Sequence, residues 1–157
     1  MISKFLITAS ICLSLFIVGC SSNNEKTPAP GTEATTAPSA SADSVNKGIG
    51  KFKSIALTHP LDKKMVEAGE AIYNSKCIAC HKLTNEKLVG PGWKGVTTKR
   101  SPEWIMNFEV NTNVMLDSDL VAQQLLVTCV ARMPSQNLSD DDARNVLEFM
   151  RHNDGEK

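Results

Sequence analysis

The sequence predicts an all-α fold, a small helical domain preceded by a disordered tether. Three observations carry that expectation. Apolar and small residues recur at three- and four-residue steps in the segments 61–79, 101–108, 116–130 and 139–150. Residues that suit helix starts stand at or near the beginning of the last three of these. No run of alternating apolar residues is long enough for a sheet.

Met1 to Gly19 carries one charge, Lys4, followed by an uncharged stretch from Phe5 to Gly19. That is shorter than the roughly 20 residues needed to cross a bilayer. At the very start of a chain it reads as a signal peptide. Ile17-Val18-Gly19-Cys20 resembles the bacterial lipobox. The resemblance implies a mature chain that begins at a lipidated Cys20 and is held at the cell membrane, facing the periplasm or the outside. An ordinary secretory signal with a chance Cys is the alternative. Residues 20–46 are the lipid-bearing Cys and a linker of Ser, Thr, Ala, Pro and Asn, with Val45 as its one large apolar side chain. Such a composition buries too little to offset its ordering entropy. As a flexible coil it would span roughly 25–30 Å. Residues 47–60 read as an extended arm, and 61–157 as the folded domain.

In the domain, Met65, Gly69, Ile72 and Tyr73 make one face of a first helix. Ser101-Pro102-Glu103 gives the next helix a hydroxyl N-cap, a proline at its first position and an acid in its first turn. Leu116 to Val130 reads as a third helix, with Asp117 and Asp119 near its start. Ser139 opens the last, where Asp140, Asp141 and Asp142 suit the positive end of the helix dipole. Leu138 and Ala143 stand as a hydrophobic staple, and Val146, Phe149 and Met150 form the buried stripe. Leu83 to Arg100 and Arg132 to Asn137 are loops.

Cys77-Ile78-Ala79-Cys80-His81 has the spacing of the c-type haem attachment motif. Two thiols can add across the vinyl groups of one haem, and the following imidazole reaches the iron from the same turn. Two other chemistries use similar residues. A redox dithiol calls for a thioredoxin-like strand and helix around the motif, and no strand precedes it here. A zinc site could combine Cys77, Cys80 and His81 with Cys129 or His152, but the second pair of closely spaced ligands is missing.

Gly69-x-x-x-Tyr73-x-x-x-Cys77-x-x-Cys80-His81 resembles the first helix of class I monohaem cytochromes c. In that family the glycine lets the first helix cross the last closely, here at Val146 and Phe149. Gly90-Pro91 resembles the family loop whose proline carbonyl accepts the ring N–H of the proximal histidine. Met133-Pro134, ahead of Leu138-Ser139-Asp140, resembles the loop with the distal methionine. The resemblance covers Leu61 to Arg151. It implies a domain wrapped around one covalent haem c, with Cys77 and Cys80 as anchors, His81 and Met133 on the iron, and Pro91 orienting His81. Such a protein is a one-electron carrier and not an enzyme.

Other residues compete for the distal position. Met65 and Met150 lie on apolar helix faces and suit packing, as does Met106. Met115, in what reads as the loop after Asn111-Thr112-Asn113-Val114, is the main competitor to Met133. His59 and His152 stand near the ends of the domain. A haem sensor or small haem enzyme with an open distal site is the alternative function. Cys129 is the one thiol left over, since Cys12 would leave with the signal; its place on a helix favours burial. Trp93 and Trp104 suit packing on the haem, an indole bond to a propionate, or ordinary core packing.

Lys+Arg and Asp+Glu are both 17 in the whole chain, so no basic excess points to nucleic acid. Lys76, Lys82, Lys87, Lys94, Lys99, Arg100 and Arg132 flank the motif-bearing loops, where a positive ring would steer an acidic partner. The expected partners of this tethered monomer are a membrane donor complex and a terminal oxidase or reductase, such as nitrous oxide reductase.

Overall fold

The computed structural model describes residues 46–157. The expected signal peptide, Cys20 and the linker up to residue 45 lie outside the described residues. Among the described residues no strand forms. The one β-type pairing found there is the isolated bridge between His81 and Lys87.

The helices are α1 (Lys63–Ile72), α2 (Val96–Lys99), α3 (Pro102–Val110), α4 (Thr112–Ser118), α5 (Leu120–Thr128) and α6 (Asp140–Asn153). Each long helix starts at a residue chemically suited to the role. The Asp62 carboxylate accepts from the backbone N–H groups of Lys64 and Met65 at the head of α1. Ser101 accepts from the Trp104 N–H, with Pro102 in the first turn of α3. Ser139 and Asp142 exchange side-chain and backbone bonds as a capping box on α6. Three acids in the first turn of α6, with Arg151 and His152 in its last, match both ends of its dipole.

The helix expected over Leu116–Val130 is instead two helices that meet at Asp119. Its buried carboxylate caps α5 through the Ala122 N–H at 2.9 Å and accepts the Trp104 indole N–H at 3.1 Å. The other oxygen takes the Asn46 amide at 3.1 Å. A carboxylate so occupied ends one helix and begins the next, because its own backbone is extended there. Asn46, expected as the last linker residue, therefore belongs to the folded body. The stretch expected as a loop before Met115 is helical, and α2 interrupts the loop expected over Leu83–Arg100.

Residues 46–60 form no helix. They are held largely by side chains from the helices. Asn107, fully buried on α3, donates to the carbonyls of Lys47 and Phe52 and accepts from the Phe52 N–H, at 2.9, 2.9 and 3.0 Å. Farther along, buried Arg151 donates to the Thr58 carbonyl at 3.1 Å, and Glu148 accepts from the Thr58 hydroxyl at 3.0 Å. Glu148 also accepts from Arg144 and from Arg151, so the buried charges are paired.

The core centres on the crossing of α1 and α6. Gly69 is buried at this crossing, against Asn145 and Phe149. With no side chain at 69, the two axes approach closely. Tyr73, one turn on, contacts Phe149 with ring centroids 5.5 Å apart and Trp93 at 5.0 Å. α3 packs on the same helix α6 and completes the framework around the cavity.

Candidate functional site

Helix α1 does not stop at Ile72 but widens into a π-helical turn over Tyr73–Cys77. The Ile78 N–H reaches the Tyr73 carbonyl at 3.0 Å across this wider turn. The chain then tightens, and the Cys80 and His81 N–H groups both donate to the Cys77 carbonyl, at 3.0 and 2.9 Å. Cys77, Cys80 and His81 consequently sit on one compact turn, and all three line a single cavity. Both thiols are free in the structure. Burial pushes the Cys77 thiol up to about 11, with the nearby Glu109 carboxyl adding to the effect.

The ring of His81 is fixed from both sides. Its Nδ1–H donates to the Pro91 carbonyl at 2.8 Å, which leaves Nε2 as the nitrogen available to a metal. Burial holds the imidazole below its ordinary pKa, against the opposing effect of the Pro91 bond, so the neutral ligand form is favoured. Behind the ring, a Cβ at Gly90 would come within 2.5 Å of His81 Cε1. The Tyr73 hydroxyl donates to the His81 carbonyl at 2.8 Å and secures the backbone. Gly90, Pro91 and His81 thus form a fitted cradle.

The rest of the cavity wall is largely apolar. Trp93, Ile105, Phe108, Leu125, Val146 and Met150 contribute to it, as does Met133 from the irregular segment after α5. Met133 is half-buried. Met115 is placed elsewhere. It is fully buried in α4, its sulfur accepts the Ile49 N–H at 3.0 Å, and it does not line the cavity. Its expected candidacy as a loop ligand fails because the loop is a helix whose inner face meets the arm. Met65 and Met106 likewise stay off the cavity wall. His59 lies beside Arg151 and Glu156, and His152 is exposed, so neither histidine lines the cavity.

Trp104 and Trp93 both line the cavity, but the indole N–H of Trp104 is already given to Asp119, which removes it as a propionate donor. Cys129 is half-buried rather than buried. It donates to the Leu125 carbonyl at 3.2 Å and stands on the cavity wall. One residue that the sequence did not mark is Glu109 on α3. It lines the cavity, and both its carboxyl oxygens are buried without a partner. Burial pushes this carboxyl well above its ordinary pKa. In the sequence it reads as a polar helix residue, and its place four residues after Ile105 is the only hint of the shared face.

An apolar cavity with two thiols, an oriented neutral imidazole and a thioether on its walls has the donor set for a covalently held haem. The site therefore defines a class, proteins that carry haem c. Comparison with known proteins gives the same class. Residues 66–154 match the cytochrome c family model. Among solved structures, the chain is 34% identical to a cytochrome c from Rhodothermus marinus, over 67% of this chain and 90% of that one, with a TM-score of 0.64. An engineered cytochrome c from Rhodothermus marinus is 33% identical over the same shares, with a TM-score of 0.63. The engineered form has also been solved bound to a carbene intermediate; there the identity is 34%, the shares are again 67% and 90%, and the TM-score is 0.61. No curated protein matches. The chain belongs to the cytochrome c family. Its cofactor is one covalent haem c, and the family role is electron transfer.

Proposed function

We propose that this protein is a lipid-anchored one-electron carrier with His/Met ligation. Cys77 and Cys80 would hold the haem as thioethers, and His81 Nε2 and the Met133 sulfur would be the ligands offered to its iron. The bound haem supplies the exchange of a single electron at iron. Pro91 fixes the tautomer and direction of His81, and Tyr73 and Gly90 fix its place. The apolar wall excludes water, which limits reorganisation when charge changes. The observation that carries the reading is the His81 Nδ1–Pro91 bond beside both cavity-facing thiols. Met133 is favoured over Met150, which also lines the cavity, because Met150 belongs to the packed stripe of α6 while Met133 stands on an irregular segment.

The surface beside the cavity supports partner docking there. Ile78, Val127 and Val130 are exposed apolar side chains next to wall residues, 50%, 86% and 74% accessible. Lys76, Lys82, Lys87 and Arg132 flank them in sequence. Lys82 and Arg132 pair with Glu86 and Asp117, so exposed Lys76 and Lys87 beside the small apolar contact carry the attraction for an acidic redox protein. Such partners would be a membrane donor complex and a terminal oxidase or reductase, nitrous oxide reductase among them, reached from a membrane-held Cys20.

The test is ligand replacement in the haem-loaded protein. Met133→Ala should abolish the sulfur-to-iron charge-transfer band of the oxidised form, lower the potential and open the reduced iron to carbon monoxide. Met115→Ala and Met150→Leu should keep the band. Its survival in Met133→Ala, or carbon monoxide binding by the unmodified reduced protein, would overturn His/Met ligation; the latter result favours an open-site haem enzyme or sensor.

A further inference from the structure

We propose that Glu109 is a redox-linked proton carrier. Its carboxylate takes one proton from solvent when the haem iron gains one electron from a protein donor, and the acid returns that proton when the iron is reoxidised. The inference rests on the haem c reading of the cavity and is independent of which residue holds the sixth position. The balance is simple. Ferric iron and a Glu109 carboxylate, plus one electron and one proton, become ferrous iron and a Glu109 carboxylic acid.

The geometry motivates it. Glu109 lines the cavity that holds the cofactor, and both of its oxygens are buried with no hydrogen-bond partner. A buried carboxylate without partners is costly, whereas the neutral acid is tolerated. Burial indeed pushes this group well above 4.5. The ionisable groups around it do not neutralise it. On the π-helical turn, Lys76 gives its ammonium to the Gln136 carbonyl at 3.1 Å. In the holoprotein Cys77 and Cys80 are consumed as thioethers, and Tyr73 is committed to the His81 carbonyl. His81 is bound to Pro91. Beyond α5, Arg132 pairs with Asp117 at 2.7 Å, and the Cys129 thiol is bonded to Leu125. On α6, Glu148 and Arg151 close on each other, and on α3 itself Glu103 faces Lys47.

The iron is then the charge to which Glu109 responds. Oxidation adds one positive charge within a cavity whose wall is largely apolar, where charges interact more strongly than in water. The ferric state therefore lowers the Glu109 pKa relative to the ferrous state. Between the two pKa values, reduction brings a proton with it and the potential falls as pH rises. Below both, the acid is neutral in either state, and above both it is charged in either state; in those ranges the potential is flat.

Spectroelectrochemical titration of the haem-loaded protein against pH tests this. The potential should fall through a window above pH 4.5, with a slope approaching about 59 mV for each tenfold change in proton concentration. Glu109→Gln, neutral at every pH, should flatten that window. It should match the unmodified protein on the acid side and lie above it on the alkaline side. A flat profile in the unmodified protein overturns the proposal, as does an unaltered slope in Glu109→Gln, which would assign the proton to a propionate or another group. Redox-difference infrared spectra of the unmodified protein decide the matter even if the variant folds poorly. A protonated-carboxyl stretch should appear on reduction and shift in deuterium oxide, and its absence would overturn the assignment. The visible spectrum reads haem attachment and ligation separately, so failure here is distinguishable from failure of the carrier reading.

Discussion

Gly69→Ala tests the packing on which the site is built. A methyl group at Gly69 would overlap the Asn145 carbonyl oxygen, stand 2.7 Å from its carbon and lie 2.8 Å from Phe149 Cβ. Ordinary contact begins near 3.4 Å, so the axes of α1 and α6 must part by at least about 0.7 Å to clear the carbon atoms, and by more to clear the oxygen. Two of the three atoms are backbone, and no rotamer change relieves them. A gap of 0.5–1 Å forfeits roughly a quarter to a half of the dispersion energy across an interface. Overpacking of this kind costs about 1–3 kcal/mol, and the rigid neighbours place Gly69 at the upper end. Alanine returns about 1 kcal/mol through its better helix propensity. The net loss is then about 2 kcal/mol, or roughly 8–12 °C in Tm for a domain of this size. Thermal unfolding of the haem-loaded protein, followed by far-ultraviolet dichroism, measures it. Gly95→Ala is the control, because its Cβ would meet nothing closer than 3.6 Å and only its φ of +76° is strained, worth about 1 kcal/mol. A Gly69→Ala protein as stable as the unmodified one would refute the argument that the absent side chain sets the crossing.

Two further outcomes follow from other parts of the chain. Burial alone would raise the Glu148 carboxyl, but hydrogen bonds from Arg144, the Asp62 N–H and Arg151 outweigh it and hold the group below 4.5. A depressed carboxyl stabilises the fold fully above its unfolded pKa, and that stability drains away as pH falls through the folded value. Glu148→Gln should therefore cost about 1.5–3 kcal/mol at neutral pH, because Arg144 and Arg151 lose a charged acceptor while Arg151 keeps Glu156, and its denaturation midpoint should change less than that of the unmodified protein between pH 5 and about pH 3. Equal acid sensitivity of the two proteins would remove Glu148 from the account. If Cys20 carries the lipid, Cys20→Ser should move the mature protein from the membrane to the soluble fraction with its haem spectrum unchanged; persistent membrane association at mature length would argue against the anchor.

How far the fold was legible follows from the range of the interactions that set each element. Ser101-Pro102-Glu103 and Ser139 with its acids announce helices because capping acts within a few residues. The motif at Cys77 announces its chemistry for the same reason. Asp119 was not legible as a helix break. It lies in a run that reads as continuous helix, and what settles its role is the Trp104 indole and Asn46, 15 and 73 residues away in the chain. Met115 was misplaced because Asn111 and Asn113 resemble loop residues, while the contact that orders the region comes from Ile49 in the arm. The arm itself has no periodicity to read, since its order comes from Asn107 and Arg151 on helices remote in sequence. Glu109 stayed hidden for another reason. Its burial is created by a cavity, and the sequence does not state which polar helix residue the fold will turn toward one.

Tyr73 has a consequence for how such a molecule can be adjusted. Its ring belongs to the α1–α6 crossing through Phe149, and its hydroxyl holds the backbone of His81. The mount of His81 and the main joint of the scaffold are therefore one part, with no independent spring between them. Strain introduced at the joint is delivered to the imidazole, and tension at the imidazole is carried back to the joint. Substitutions at Phe149, off the cavity wall and remote from the Cys77 motif in sequence, become tuning screws for the potential. Stability and redox behaviour in this chain would drift together under mutation, and a variant selected for one should be measured for the other.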